Sequence, residues 1–253
     1  MAASDLLKVV GYADRILRTA EFIDYPGAVN GLQVQNSGRV TRIAAAVDGT
    51  LATARRAIRD GADLLVVHHG LFWSPSHPWT GRRYELMRTL VEGNLAVYSS
   101  HLPLDAHPTL GNNVLLARAL GLRELKPFFF AKGRHLGVRV TLAIGRAELQ
   151  RLLEKATGAP AKVLPGGAEK CRRIGIVTGG AGAEMKIAAA EGVDAFVTGE
   201  GPHWTYATAE DLGLNVFYGG HYATETFGVK ALAAHLGKKF GVAWSFIDYP
   251  TGL

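Results

Sequence analysis

The chain repeats itself. Shifted by 131 residues, Arg42 to Trp73 lies on Arg173 to Trp204 without a gap, and 10 of the 32 positions are identical. They include Arg42/Arg173, Gly61/Gly192, Asp63/Asp194, Val66/Val197, Gly70/Gly201 and Trp73/Trp204. A second block aligns at a shift of 120. Val97-Tyr98-Ser99-Ser100-His101, with Asp105, falls on Phe217-Tyr218-Gly219-Gly220-His221, with Glu225. Leu64 to Val67 is an unbroken apolar run of strand length, and such strands belong to sheets covered by helices on both faces. Two copies are too few for a solenoid. They predict an α/β fold of two similar halves related by a pseudo-twofold axis. The pattern divides the chain into a first half at 1–121, a strand-helix-strand connection at 122–171 and a second half at 172–253.

Within the first half, Leu6, Leu7, Val10, Ile16 and Leu17 fall at helical spacing over 5–18, with Ser4 as the expected N-cap. Residues 21–38 read as loop, interrupted by the turn and short extended piece Asn30-Gly31-Leu32-Gln33-Val34. Strands are predicted over 42–47, 64–67 and 95–99, and helices over 51–60, 83–92 and 112–121. The connection reads as a strand over 137–144, a helix over 146–157 and a short strand over 161–164. Around His101, Pro103 predicts a loop. His221 opens a helix running to Gly237.

The chemistry gathers where strands end. Leu64 to Val67 runs into His68-His69-Gly70, and in such sheets ligands sit beyond the carboxyl ends of the strands. Neighbouring side chains leaving a strand diverge, so two adjacent imidazoles suit two neighbouring metal ions better than one. Both copies place a His and a carboxylate four apart after a buried strand: His101 and Asp105, His221 and Glu225. If the halves face each other, ligands from both copies surround one cleft. Imidazole and carboxylate donors suit open catalytic sites for zinc, iron, manganese or nickel. Such metals activate water at neutral pH, which predicts a hydrolase.

These segments resemble a known family. Asn30-Gly31-Leu32-Gln33-Val34, Val67-His68-His69-Gly70, Ser100-His101 with Asp105, Val197-Thr198-Gly199-Glu200 and Gly220-His221-Tyr222-Ala223-Thr224-Glu225 are similar, in order, to the motif series of the Nif-three-like proteins. Those proteins are often named GTP cyclohydrolase 1 type 2 homologs. The resemblance implies the duplicated α/β fold in its short form, without the large inserted domain some members carry. It implies two divalent metal ions per chain, with His69 and Asp105 on one, His68 and His221 on the other, and Glu225 bridging. It places His101 close to the metals as a further ligand or a proton donor. It also implies a toroidal homohexamer. The name implies hydrolytic opening of a guanine ring by a metal-bound hydroxide attacking C8, with His101 moving a proton.

Other residues carry weaker expectations. Glu200, in the copy-two place of His69, His107 and His203 are candidates for supporting the ligands or touching substrate. His77 is a further candidate for substrate contact, and Asp48 for support. Trp73 and Trp204 read as packing residues, with base stacking as the alternative. Arg82 and Arg83 are candidate partners for a triphosphate. His135 and His235 read as surface or helix-face residues, and Phe128-Phe129-Phe130 as core or subunit contact.

Composition narrows the class. With 48% hydrophobic and 20% charged residues the chain reads as globular and cytoplasmic, with no stretch of membrane-spanning length and no signal-peptide pattern at Met1-Ala2-Ala3. Cys171 is the single cysteine, which excludes an intrachain disulfide. Net charge is +6, but the basic residues are scattered. That pattern fits a phosphorylated or nucleotide substrate better than DNA. The competing function is a ring-shaped DNA-binding or metal-handling protein without turnover.

Overall fold

The computed structural model describes residues 3–73 and 78–253; His77 lies outside them. In chain order the elements are β1 (Ser4–Asp5), α1 (Leu6–Leu17), β2 (Gly31–Val34), β3 (Arg39–Val40), β4 (Arg42–Asp48), α2 (Leu51–Arg59), β5 (Leu64–His69), α3 (Gly81–Glu92), β6 (Ala96–Ser99) and α4 (Leu102–Asp105). They continue as α5 (Asn112–Ala119), β7 (Lys126–Ala131), β8 (Arg134–Gly145), α6 (Arg146–Thr157), β9 (Lys162–Pro165), β10 (Lys170–Ile176) and α7 (Met185–Ala190). The last are β11 (Ala195–Thr198), α8 (Thr205–Asp211), β12 (Asn215–Tyr218), α9 (His221–Phe240) and β13 (Ala243–Phe246). The chain forms two compact units, Met1–Leu104 with Gly228–Tyr249, and Asp105–Phe227 with Pro250–Leu253.

The first unit carries a five-stranded sheet in the order β13-β4-β5-β6-β2. Strands β4, β5 and β6 run parallel, with Ile43 beside Leu64 and Leu64 beside Ala96. Ala44, Ala46, Leu65, Val67 and Val97 pack on one face with Ala54 and Ala57 of α2 and Leu90 of α3. The alternate residues Ile43, Ala45, Leu64, Val66 and Tyr98 are buried as well. Burial on both faces is what the unbroken apolar runs require. β13 pairs parallel with β4, so the C-terminal strand, which the repeat assigns to the second half, completes the sheet of the first unit.

The second unit carries a six-stranded sheet in the order β7-β8-β10-β11-β12-β9, whose centre, β10-β11-β12, is again parallel. Side chains alternate between two cores: Ile174, Ala195, Val197 and Phe217 on one, Phe196 and Val216 on the other. Phe128 and Phe129 are buried, whereas Phe130 is 57% exposed on the edge strand β7.

The repeat is physical. Asp63 accepts hydrogen bonds from the Thr41 and Arg42 amides at 2.8 and 3.1 Å, and Asp194 accepts from Arg172 and Arg173 at 2.8 and 2.9 Å. Each carboxylate ties the start of its own strand to the start of the preceding one. The second block follows a different register from the sequence match. Leu65 lies beside Val97, and the repeat partner of Leu65, Phe196, lies beside Val216 rather than Phe217. A one-residue slip reverses every side chain in a strand. The extra residue is taken up at Gly219-Gly220, where Gly220 has φ +88°, and His221 then begins α9.

Two local expectations are corrected, and one element is placed. Asp5, not Ser4, caps α1 by accepting from the Lys8 amide at 2.9 Å; Ser4 pairs with Val40 in β1 and bonds Phe240 O. Residues Leu102–Asp105 form the helical turn α4 rather than a loop, because Pro near a helix start gives up no hydrogen bond. Arg82 and Arg83 belong to the first turn of α3, and Arg82 pairs with Glu85 at 3.4 Å.

Candidate metal centre

In the first unit, β5 delivers His68 and His69, and the turn after β6 delivers His101. Ring centroids lie 4.8 Å apart for His68 and His69, 5.0 Å for His68 and His101, and 5.7 Å for His69 and His101. Each residue offers a ligand atom within 4.8 Å of the others. Each ring is held through Nδ1. His68 donates to Ser100 O at 2.9 Å, His69 to Asp48 Oδ1 at 2.8 Å, and His101 to Asp24 Oδ1 at 2.8 Å. A carbonyl or an ionised carboxylate only accepts, so Nδ1 carries the proton and Nε2 is the nitrogen presented for coordination or proton transfer. His68 is fully buried.

Asp24, which sequence reasoning passed over, lies in the 3₁₀-and-loop stretch after α1. Its side chain is 4% exposed. It accepts from the Tyr25 amide at 2.7 Å, Asn30 Nδ2 at 2.8 Å and the Leu102 amide at 3.2 Å. Burial alone would raise its pKa, but His101, Asn30 and the Tyr25 amide outweigh it and hold Asp24 below the usual carboxylate range. Asn30 Oδ1 accepts from the His101 amide at 2.7 Å. Gln33, from the same motif, accepts from the Leu71 amide at 2.6 Å and fills the space where a β-carbon on Gly70 would stand. Trp73 donates its indole proton to Gly70 O at 3.2 Å, and its ring stands edge-on to His101 with centroids 5.1 Å apart. It is 37% exposed and Trp204 52%, so neither is a core packing residue.

In the second unit, α9 opens with His221 and Glu225 one turn apart, and His221 Nε2 lies 3.2 Å from Glu225 Oε2. Nδ1 of His221 donates to Glu200 Oε1 at 2.7 Å, so Glu200 supports a ring as Asp48 does. Burial opposes a charge on His221, but Glu225 and Glu200 outweigh it and raise its pKa to about 9. Glu225 is 2% exposed. Gly179 leaves room for its carboxylate: a β-carbon there would stand 2.0 Å from Glu225 Oε1. Asp105, also buried, accepts from Asn112 Nδ2 at 2.8 Å, and Asn113 Nδ2 holds its carbonyl at 3.2 Å. Neither asparagine stood out in the sequence, since an Asn at a helix start reads as a cap.

The supporting candidates separate. His107 uses Nδ1 to accept the Leu110 amide at 3.0 Å, and with Asp105, Lys126 and His135 it lines a cavity of about 390 Å³. His203 is exposed on the turn before α8. His235, on a face of α9, is hydrogen-bonded to Tyr12 Oη at 2.8 Å and stacked on its ring. Cys171 is buried, and burial with the nearby Asp194 pushes its thiol up to about 11.

An α/β fold that presents His68, His69 and His101 together beyond its strands, each ring held through Nδ1, offers a donor group of the kind that could hold a metal ion. The chain belongs to the Duf34/NIF3 (NGG1p interacting factor 3) family, whose model matches residues 5–251. A Deinococcus radiodurans relative named GTP cyclohydrolase 1 type 2 homolog is 44% identical over 232 residues, covering 90% of this chain and 88% of the relative. A Halobacterium salinarum relative of the same name is 44% identical over 248 residues, covering 96% of each. The crystal structure of TTHA1606 from Thermus thermophilus superposes with TM-score 0.91 at 40% identity, covering 99% of this chain and all of that one. The fold is that of the NIF3 superfamily. Among the described residues no helix is long and apolar enough to cross a membrane.

Proposed function

We propose that the chain is a divalent-metal hydrolase acting on a nucleotide or a related phosphorylated metabolite. His68, His69, Asp105, His221 and Glu225 hold two metal ions, and His101 handles the proton. The observation that carries this reading is the treatment of the histidines. His68, His69, His101 and His221 each donate Nδ1–H to a carbonyl or carboxylate. That is the support given to imidazoles that work through Nε2. Buried Glu225 beside His221, with Gly179 yielding it space, adds the anionic donor that balances a cation's charge. Divalent ions so held lower the pKa of water and polarise the bond under attack. The chain's own part is to fix the donors in place and to accept and return a proton at His101. The relatives' name points to a purine nucleotide, and Trp73, edge-on to His101 and partly exposed, is placed to meet a planar ring.

The test is metal content per chain by elemental analysis, on protein purified without chelator or His-tag, beside Glu225→Ala. About two equivalents in the native chain, a large loss in the variant and metal-dependent turnover of GTP support the proposal. Less than about half an equivalent, not restored by zinc, manganese or iron(II), overturns it. Two equivalents without turnover on a nucleotide panel leave a metal-handling protein.

A further inference from the structure

We infer that Gln33 is a positioning residue: by taking the space of a side chain at Gly70, it sets the turn after β5 so that Trp73 stands against His101 as one wall of a purine site. The inference rests on the nucleotide reading for its ligand and on geometry for the positioning. It gives the Asn30-Gly31-Leu32-Gln33-Val34 segment a part in recognition, where metal ligation makes no use of it.

Gln33 reaches from β2 to the turn after β5, past the intervening β6. Its Nε2 donates to Val29 O at 2.6 Å, and its Oε1 accepts the Leu71 amide at 2.6 Å. A β-carbon on Gly70 would lie 2.2 Å from Gln33 Nε2, 2.5 Å from Oε1 and 2.7 Å from Cδ, its three nearest atoms. Gly70 does not have the positive φ that calls for a glycine. It is therefore the Gln33 amide, not the backbone, that keeps position 70 bare. The Gly70 carbonyl in turn accepts the Trp73 indole proton at 3.2 Å. Position 70 joins the two side chains, with Gln33 against its Cα and Trp73 on its carbonyl.

The rings beside the histidines supply the wall. Trp73 stands nearly perpendicular to His101 with centroids 5.1 Å apart, and 5.8 Å from His69. Tyr25 adds a second ring 5.9 Å from His101. Trp73 and Tyr25 are both partly exposed, so aromatic surface stays open next to the imidazoles. A planar base takes such surface as a stacking partner; a bare sugar phosphate does not. The second copy keeps the glycine but changes its neighbour. A β-carbon on Gly201 would meet Tyr218 Oη at 2.3 Å, and Trp204 there leads into α8. In the first copy the excluding side chain comes instead from the segment whose Asn30 holds the His101 amide at 2.7 Å.

The test is 19F NMR on the full zinc-loaded chain labelled with 5-fluorotryptophan, with titrations of GMP and of ribose 5-phosphate. Trp73→Phe identifies the Trp73 resonance. In Gln33→Ala that resonance is expected to shift while those of Trp204 and Trp244 stay in place. Affinity for GMP is expected to fall about tenfold, the scale of one lost stacking contact, with affinity for ribose 5-phosphate unchanged. Gly70→Ala, whose methyl displaces Gln33, is expected to do the same. In the double variant Gln33→Ala/Gly70→Ala the second change is expected to add nothing, because the space is already free. A merely structural role would weaken both ligands alike and let the two changes add. An unmoved Trp73 resonance in Gln33→Ala, equal losses for the two ligands, or additive losses in the double variant overturn the inference. Native protein that binds GMP no better than ribose 5-phosphate fails the nucleotide reading instead, and the Trp73 resonance in the single and double variants still decides the positioning. Should Gln33→Ala not fold, Gly70→Ala carries the same decision.

Discussion

Gly179 and Glu225 share one space: a β-carbon on the glycine would lie 2.0 Å from Oε1 of the glutamate and 3.3 Å from His221 Nε2. Gly179 occupies the repeat position of Asp48. In the first copy a carboxylate grows from that position and holds His69. In the second the position is bare and the carboxylate arrives from α9. Gly179→Ala should displace Glu225 and strain a backbone at φ +71°. Overpacking of this kind costs about 1–3 kcal/mol. Elemental analysis should show metal lost in the variant while circular dichroism stays native; full metal retention would refute the assignment of Glu225.

Asp48 and Glu200 make the same contact to different rings, at 2.8 Å to His69 and 2.7 Å to His221. Asp48→Ala and Glu200→Ala each remove a support without removing a ligand. Metal affinity, measured by competition with a chelator, should weaken about 10–100-fold in each. Affinity equal to the native chain's would show that the rings are held by packing alone.

The paired carboxylates Asp63 and Asp194 predict matching stability losses. Each accepts backbone amides at the base of its sheet. Losing hydrogen bonds to a charged acceptor costs about 1.5–3 kcal/mol. Asp63→Ala and Asp194→Ala should both lower the unfolding midpoint in urea, with metal content intact. A negligible effect in either would mean that the repeat is an echo of ancestry without mechanical weight there.

His221 gives a pH dependence with a definite sign. Its folded pKa is raised to about 9 from an ordinary 6.5. The stabilisation this reflects is fully present below about pH 6.5 and is lost as pH rises through about 9. In metal-free protein, calorimetry should show the advantage of native over His221→Gln shrinking across that window. The same proton competes with a cation for Nε2, so metal affinity should rise over the same range. A flat difference between the two proteins would mean His221 is neutral throughout.

Much of this was legible because the signals were strong and local. The apolar run from Leu64 to Val67 marks a doubly buried strand whatever surrounds it, and His68-His69 at its end could point only to the sheet's carboxyl edge. The residues His101, His221 and Glu225 followed from the repeat. Asp24 was not legible, because a carboxylate in an irregular stretch looks like any solvated loop acid, and its partner is 77 residues away. β7 is not legible because Lys126-Pro127 suggests a turn, and its pairing with β8 satisfies the backbone in a way no local pattern announces. In the second repeat block the sequence match and the strand ladder differ by one residue. Tyr98 matches Tyr218 by eye, but the ladder puts Val97 and Val216 in equivalent places, and Gly220 absorbs the difference.

β13 lies at the edge of the first unit's sheet, bonded to β4 from Ala243–Arg42 to Phe246–Ala45. A ribosome makes Arg42 long before Phe246. Until β13 is made, the outer edge of β4 has no strand to pair with, although Ile43 and Ala45 are bound for the core. Such an edge is an invitation to the wrong partner. The nascent first unit therefore depends on holding that edge safe until β13 emerges, and a truncated chain that stops before Ala243 should aggregate through β4 rather than merely lose stability.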